Sequence, residues 1–163
     1  MSGKTTRQTK QYRSFSGHAA AEFLLHEPPM VLLDRVIEVE RNGACCTCIT
    51  SPDSLFHLPG LGVPGWTAVE FMAQCVAVSA GACARVEGRP IPLGLLLGTR
   101  HLQLALDLFD ADREYRVESR LHFKDDSGMA AHQCSIRQGG SVIAQARLTA
   151  KEIHREEESH VQL

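Results

Sequence analysis

The chain has 163 residues, of which 44% are hydrophobic and 22% charged, the balance of an ordinary globular domain with one sizeable core. A formal net charge of -2 speaks against a nucleic-acid footprint. Six Cys, four of them in strand-like segments and two in an apolar helical run, point to buried free thiols in a reducing cytoplasm, against a disulfide framework or a metal site.

Residues 1–17 are polar and basic, without the apolar stretch of a secretory signal, and predict a flexible tail. A single domain is expected over 18–154, followed by a polar tail over 155–163. "HAAAEFLL" (18–25) suits a short helix. "MVLLDRVIEVE" (30–40) and "GACCTCIT" (43–50) read as a hairpin turning at "RNG" (41–43). "SPDSLFHLPGLGVPG" (51–65) has the Pro, Gly and Asp of a loop.

A long helix is predicted from about 65 to 85, ended by Gly88 and Pro90. Its segment 66–84 approaches the length of a bilayer span, but Glu70 and Gln74 interrupt it and much of the rest is Ala, Ser, Gly and Cys. A buried core helix is the better reading, with no membrane partner. Strands follow at 92–106, 113–124, 128–138 and 141–152, and the links "DDSG" and "QGGS" predict antiparallel hairpins. "YRVESRLHF" (115–123) alternates apolar and polar residues, as a half-solvated strand does. The expected fold is α+β: one central helix wrapped by a curled antiparallel sheet of about five to six strands.

"FHLPGLGVPGWTAVEFMAQ" (56–74) contains G-x-G-x-x-G at Gly60, Gly62 and Gly65. A dinucleotide site needs a strand before the first Gly within a βαβ unit, and here a Pro-containing loop precedes it. What remains is a helix N-terminus whose amides favour negative charge or polarise a carbonyl. Glu70 sits inside the apolar helix, where a carboxyl is costly unless paired or functional, and Gln74 shares its face.

These residues resemble the β-hydroxyacyl-acyl carrier protein dehydratases of the hotdog fold. "HLPG" (57–60), "VPG" (63–65) and "VEFMAQ" (69–74) match that family's motifs in order, and "LLHEPPMVLLDRVIEVE" (24–40) is similar to its opening segment. The likeness is strongest to a divergent branch associated with aryl-polyene and polyketide-like gene clusters. "HLPG" replaces the family's "HFPG", and the His57-to-Glu70 spacing is one residue shorter than the family pattern.

The resemblance implies dehydration of a 3-hydroxyacyl thioester to the trans-2-enoyl thioester. His57 would be the base at C2, with His26 as the rival imidazole, and Glu70 would protonate the leaving hydroxyl. The amides of Gly65 and Trp66 would polarise the thioester carbonyl, and the Gly62 carbonyl would orient the His57 ring. Val63, Gln74, Leu96 and Leu97 would line an acyl tunnel. No metal and no cofactor are implied, since the substrate rides on the phosphopantetheine arm of an acyl carrier protein. Arg85, Arg89, Arg100 and Arg137 are candidates to meet that carrier's acidic face. A homodimer with shared active sites is implied, with a higher oligomer or a hetero-pair as further possibilities. A hotdog thioesterase and a non-catalytic acyl-binding or assembly subunit are the alternatives.

Overall fold

The computed structural model describes residues 2–153. Its centre is α2 (Ala68–Val86), preceded by a 3-10 turn at Gly65–Thr67. Around it runs a six-stranded sheet built from β1 (Val36–Glu40), β2 (Gly43–Thr50), β4 (Leu93–Leu104), β6 (Arg113–Lys124), β7 (Met129–Gln138) and β8 (Ser141–Ile153). The strand order is β1-β2-β6-β7-β8-β4, with every neighbouring pair antiparallel. A two-stranded ribbon joins β3 (Val63–Pro64) to β5 (Leu108–Phe109) beside the helix start. This is the hotdog architecture expected from the sequence.

Helix α2 buries Phe71, Met72, Cys75, Val78 and Ala82 against Val36, Val39, Cys46, Val117, Cys134 and Ile136 of the sheet. Each large apolar side chain removed from water contributes on the order of 1.5–3 kcal/mol. The run Gly65–Glu87 is long and apolar enough to cross a bilayer, yet 61% of its apolar 18-residue stretch is buried inside the fold. Gly81 lets the 3-10 turn Ala20–Phe23 lie directly on the helix, because a Cβ there would meet the Phe23 carbonyl oxygen at 2.0 Å. All six cysteines are free. Cys75 Sγ donates to the carbonyls of Ala44 and Val117, both at 3.3 Å, and burial pushes the Cys45 thiol up to about 11. These thiols act as small core residues.

Three local differences from the sequence reading have physical causes. Residues 2–13 form helix α1 where a tail is expected, and the chain is anchored there by buried Tyr12 and Phe15. Tyr12 donates its hydroxyl proton to Cys83 Sγ at 3.3 Å. Residues 30–35 precede the regular strand: Asp34 and Arg35 bond Thr47 through their backbones, while the Pro28-Pro29 bond is cis. The ribbon of β3 and β5 is too short to leave a periodic signal. The predicted C-terminal tail lies outside the described residues.

β4 is an edge strand, and Leu96, Leu97, Leu102 and Leu104 on it are exposed. An uncovered edge with apolar side chains is a surface built for pairing.

Candidate active site

Glu70 lies in the first turn of α2, with its side chain 30% exposed. Gln74, one turn on, is fully buried and holds it. Gln74 Nε2 donates to Glu70 Oε1 at 2.8 Å and to the Met30 carbonyl at 2.7 Å, while its Oε1 accepts the Leu32 N–H at 2.9 Å. One amide thus ties the carboxylate to the extended segment 30–32. The chain just before this segment delivers His26, whose Nε2 stands 3.6 Å from Glu70 Oε1. His26 Nδ1 is sealed from solvent without a hydrogen-bond partner.

Glu70 and His26 line one end of a cavity of about 550 Å³ between α2 and the far half of the sheet. The helix contributes Ala73, Val76, Ala77 and Ala80, and the sheet contributes Leu95, Leu121 and Leu148 among others. The small helical residues recur at the 3.6-residue period, so a single stripe of α2 forms the wall. A carboxylate at the end of an apolar trough can deliver a proton to a substrate whose chain fills the trough.

His57 is half-buried in the loop 51–62, and its backbone N–H bonds the Ser54 carbonyl at 2.9 Å. It does not line the cavity that holds Glu70. The structure therefore brings Glu70, Gln74 and His26 together within one chain and places His57 elsewhere. Phe56, next to His57, meets Trp66 edge-on at 5.5 Å, which fixes the loop against the start of the helix.

Several expected roles change with the geometry. The Gly62 carbonyl, which the resemblance assigns to the His57 ring, accepts the Leu58 N–H at 2.8 Å and closes the glycine turn. The Gly65 N–H donates to the Asp107 carbonyl at 2.7 Å, so this amide is committed to its own chain. A Cβ on Gly65 would lie 2.7 Å from the Leu106 carbonyl oxygen, which identifies the segment 106–107, not a thioester, as the group that needs the glycine. Trp66 remains as the candidate carbonyl donor, since its N–H precedes the first hydrogen bond of the turn. Leu96 lines the cavity, whereas Leu97 does not. Val63 lines a smaller neighbouring hollow of about 260 Å³ with Phe71. Gln74 is a brace, because its amide is consumed by three internal bonds. Arg85, Arg89 and Arg137 each pair with a carboxylate of their own chain, at Glu22, Glu87 and Glu118 respectively.

His132 was not among the residues expected to matter. It lines the same cavity from β7, and strand alternation places it on one face with Ala130 and Cys134. The signal was readable in "MAAHQC", where a lone imidazole occupies an inward position.

Comparison with known proteins agrees with this architecture. The ApeP-like family, described as ApeP dehydratase, matches residues 18–162. The chain is 26% identical over 159 residues to a 3-hydroxyacyl-[acyl-carrier-protein] dehydratase FabZ of Bartonella henselae, covering 93% of this chain and 99% of that one. It is 24% identical over 143 residues to the FabZ of Rhizobium etli, covering 83% and 88%. Among solved structures, the dehydratase heterocomplex ApeI:P from Xenorhabdus doucetiae superposes with a TM-score of 0.81 at 29% identity, covering 87% of this chain and 95% of that one. With fold, motif order and family agreeing over most of its length, the chain belongs to the ApeP-like dehydratase family.

Proposed function

We propose that this dehydratase acts on a 3-hydroxyacyl group held as a thioester on the phosphopantetheine arm of an acyl carrier protein. The observation that carries the reading is Glu70, braced by Gln74 at the end of an apolar cavity. The carrier is inferred from the FabZ relatives, whose names specify it.

In this reading an imidazole removes the C2 proton, and the electron pair forms the C2–C3 double bond. The C3–O bond breaks, and Glu70 gives its proton to the departing oxygen, so that water leaves. The Trp66 amide stabilises the developing charge on the thioester oxygen, helped by the helix start. The acid, base and dipoles suffice, so we assign no metal or redox cofactor.

His57 is the base we favour, supplied to the Glu70 of another subunit. The observation behind this is the division of the site: Glu70 faces the cavity and His57 does not. His26 is the brace. His26 Nε2 stands 3.6 Å from Glu70 Oε1, and with the ring proton on that side the lone pair lies on Nδ1, which is sealed from solvent. A lone pair in that place does not reach a substrate. The second subunit is a copy of this chain or a related hotdog chain; the ApeI:P heterocomplex supports a hetero-pair. The exposed leucines of edge strand β4 supply a pairing surface. A cytoplasmic site of action fits the six free thiols.

The test supplies purified protein, alone and with its related subunit, with a 3-hydroxyacyl carrier-protein thioester. Enoyl absorbance and free thiol are followed separately. Enoyl formation that disappears in Glu70→Gln is expected. Thiol release without enoyl product would assign a thioesterase. Silence from both would mark a non-catalytic acyl-binding subunit.

A further inference from the structure

The floor of the cavity is almost wholly apolar at its centre. In the β6–β7–β8 register, His132 lies opposite Leu121 on one side and Leu148 on the other. All three line the cavity, so an imidazole stands in the middle of a leucine row. Its Nδ1 is sealed from solvent and has no hydrogen-bond partner, so Nε2 is the nitrogen left to meet the contents of the cavity. An unpaired buried polar atom destabilises the fold, and a leucine would complete the row without that cost. The other polar side chains lining the cavity sit apart from this row. Glu70 and His26 belong to the catalytic end, Ser79 Oγ on the helix donates to the Glu40 carbonyl, Arg41, Glu87, Arg89, Lys124 and Glu152 form surface ion pairs among themselves, and Asn42 and Lys151 complete the polar lining.

Burial, with a smaller push from Lys124, holds His132 down at about 4, so its ring is neutral near pH 7. A neutral imidazole offers one donor and one acceptor. Nε2 is the donor in one tautomer and the acceptor in the other, and a hydroxyl group satisfies either. A carboxylate would be buried beside an uncharged partner, which is unfavourable.

We propose that His132 is a specificity-determining residue that hydrogen-bonds a hydroxyl substituent on the substrate's acyl chain, away from the reacting C2 and C3. The proposal rests on the reading of this cavity as the acyl site. It makes the preferred substrate an oxygen-bearing acyl group in place of a plain hydrocarbon of the same length.

The experiment uses matched pairs of 3-hydroxyacyl thioesters that differ only in a distal hydroxyl. One neutral hydrogen bond corresponds to a preference of about tenfold in kcat/KM. Wild type should show that preference, carried by KM. In His132→Leu the ratio between the paired substrates should fall to near one, and His132→Gln should restore part of it. An unchanged ratio in His132→Leu would overturn the proposal. Binding of unreactive saturated acyl-pantetheine thioesters, with and without the distal hydroxyl, is measured in parallel. Discrimination there that vanishes in His132→Leu supports the proposal even if no enoyl product forms, in which case the dehydration reading fails alone. Equal binding of both thioesters, or binding of neither, would overturn the proposal.

Discussion

His26 Nε2 stands 3.6 Å from Glu70 Oε1, and both residues belong to one chain, while His57 lies outside the cavity they line. An imidazole that braces an acid and one that removes a proton respond differently to truncation. Loss of a general base typically costs 10²–10⁴-fold in rate. His57→Ala should therefore reduce kcat by at least about a hundredfold. His26→Ala should reduce it by about tenfold, the order of one lost positioning contact. Mixing His57→Ala with Glu70→Gln protein should regain activity if the two groups are drawn from different subunits, since some mixed dimers would then hold one intact site. Full activity in His57→Ala alone would transfer the base to His26.

Gln74 joins three chain segments through one amide, at Met30, Leu32 and Glu70. Gln74→Leu keeps the bulk but leaves the Leu32 N–H and the Met30 carbonyl unpaired in a buried setting. Each orphaned group costs about 1–3 kcal/mol, so a loss of about 2–4 kcal/mol is expected by urea denaturation. The variant should also lose activity, because Glu70 loses its holder. Unchanged stability would show that these groups find other partners.

Much of this arrangement was legible beforehand. The hairpin links at Asp125–Gly128 and Gly139–Gly140, the strand pattern and the long helix are carried by local residue types, and the observed strands follow them. Glu70 and Gln74 were marked by being polar in an apolar helix. Legibility ended where a role depended on distant backbone. The resemblance gives the Gly65 amide to a thioester, yet that amide is taken by the carbonyl of Asp107, some forty positions on in no periodic element. The resemblance puts Gln74 on a tunnel wall, and helical spacing does not reveal the segment Met30–Leu32 that closes over it. Helix α1 leaves no pattern in the sequence because Tyr12 and Phe15 are too few for a hydrophobic stripe.

Gly81 offers a test of the packing of the N-terminal turn on α2. Replacing a helix-interior glycine with alanine ordinarily stabilises by about 1 kcal/mol through propensity. Here the new Cβ would lie 2.0 Å from the Phe23 carbonyl oxygen and 2.9 Å from its carbonyl carbon, both backbone atoms. Overpacking of this kind costs about 1–3 kcal/mol or more and should win. Gly81→Ala is therefore expected to melt below wild type by about 5 °C, and a higher melting temperature would contradict the contact.

His132 gives the fold an acid sensitivity of definite sign. In the folded chain its pKa is held at about 4, chiefly by burial, against an ordinary value of 6.5. The unfolded chain therefore takes up a proton near pH 6.5 that the folded chain refuses until about pH 4. The contribution to stability is full above pH 6.5, falls as the pH drops through that window, and levels off below about 4. At pH 4.5 the loss from this group amounts to about 2 kcal/mol. His132→Leu removes the titration and keeps the row with Leu121 and Leu148 apolar. Urea denaturation at pH 7 and pH 4.5 should show the variant losing about 2 kcal/mol less than wild type over that interval. Carboxylates titrate in both proteins and cancel in the comparison, so equal losses would mean that the ring is not held neutral by its surroundings.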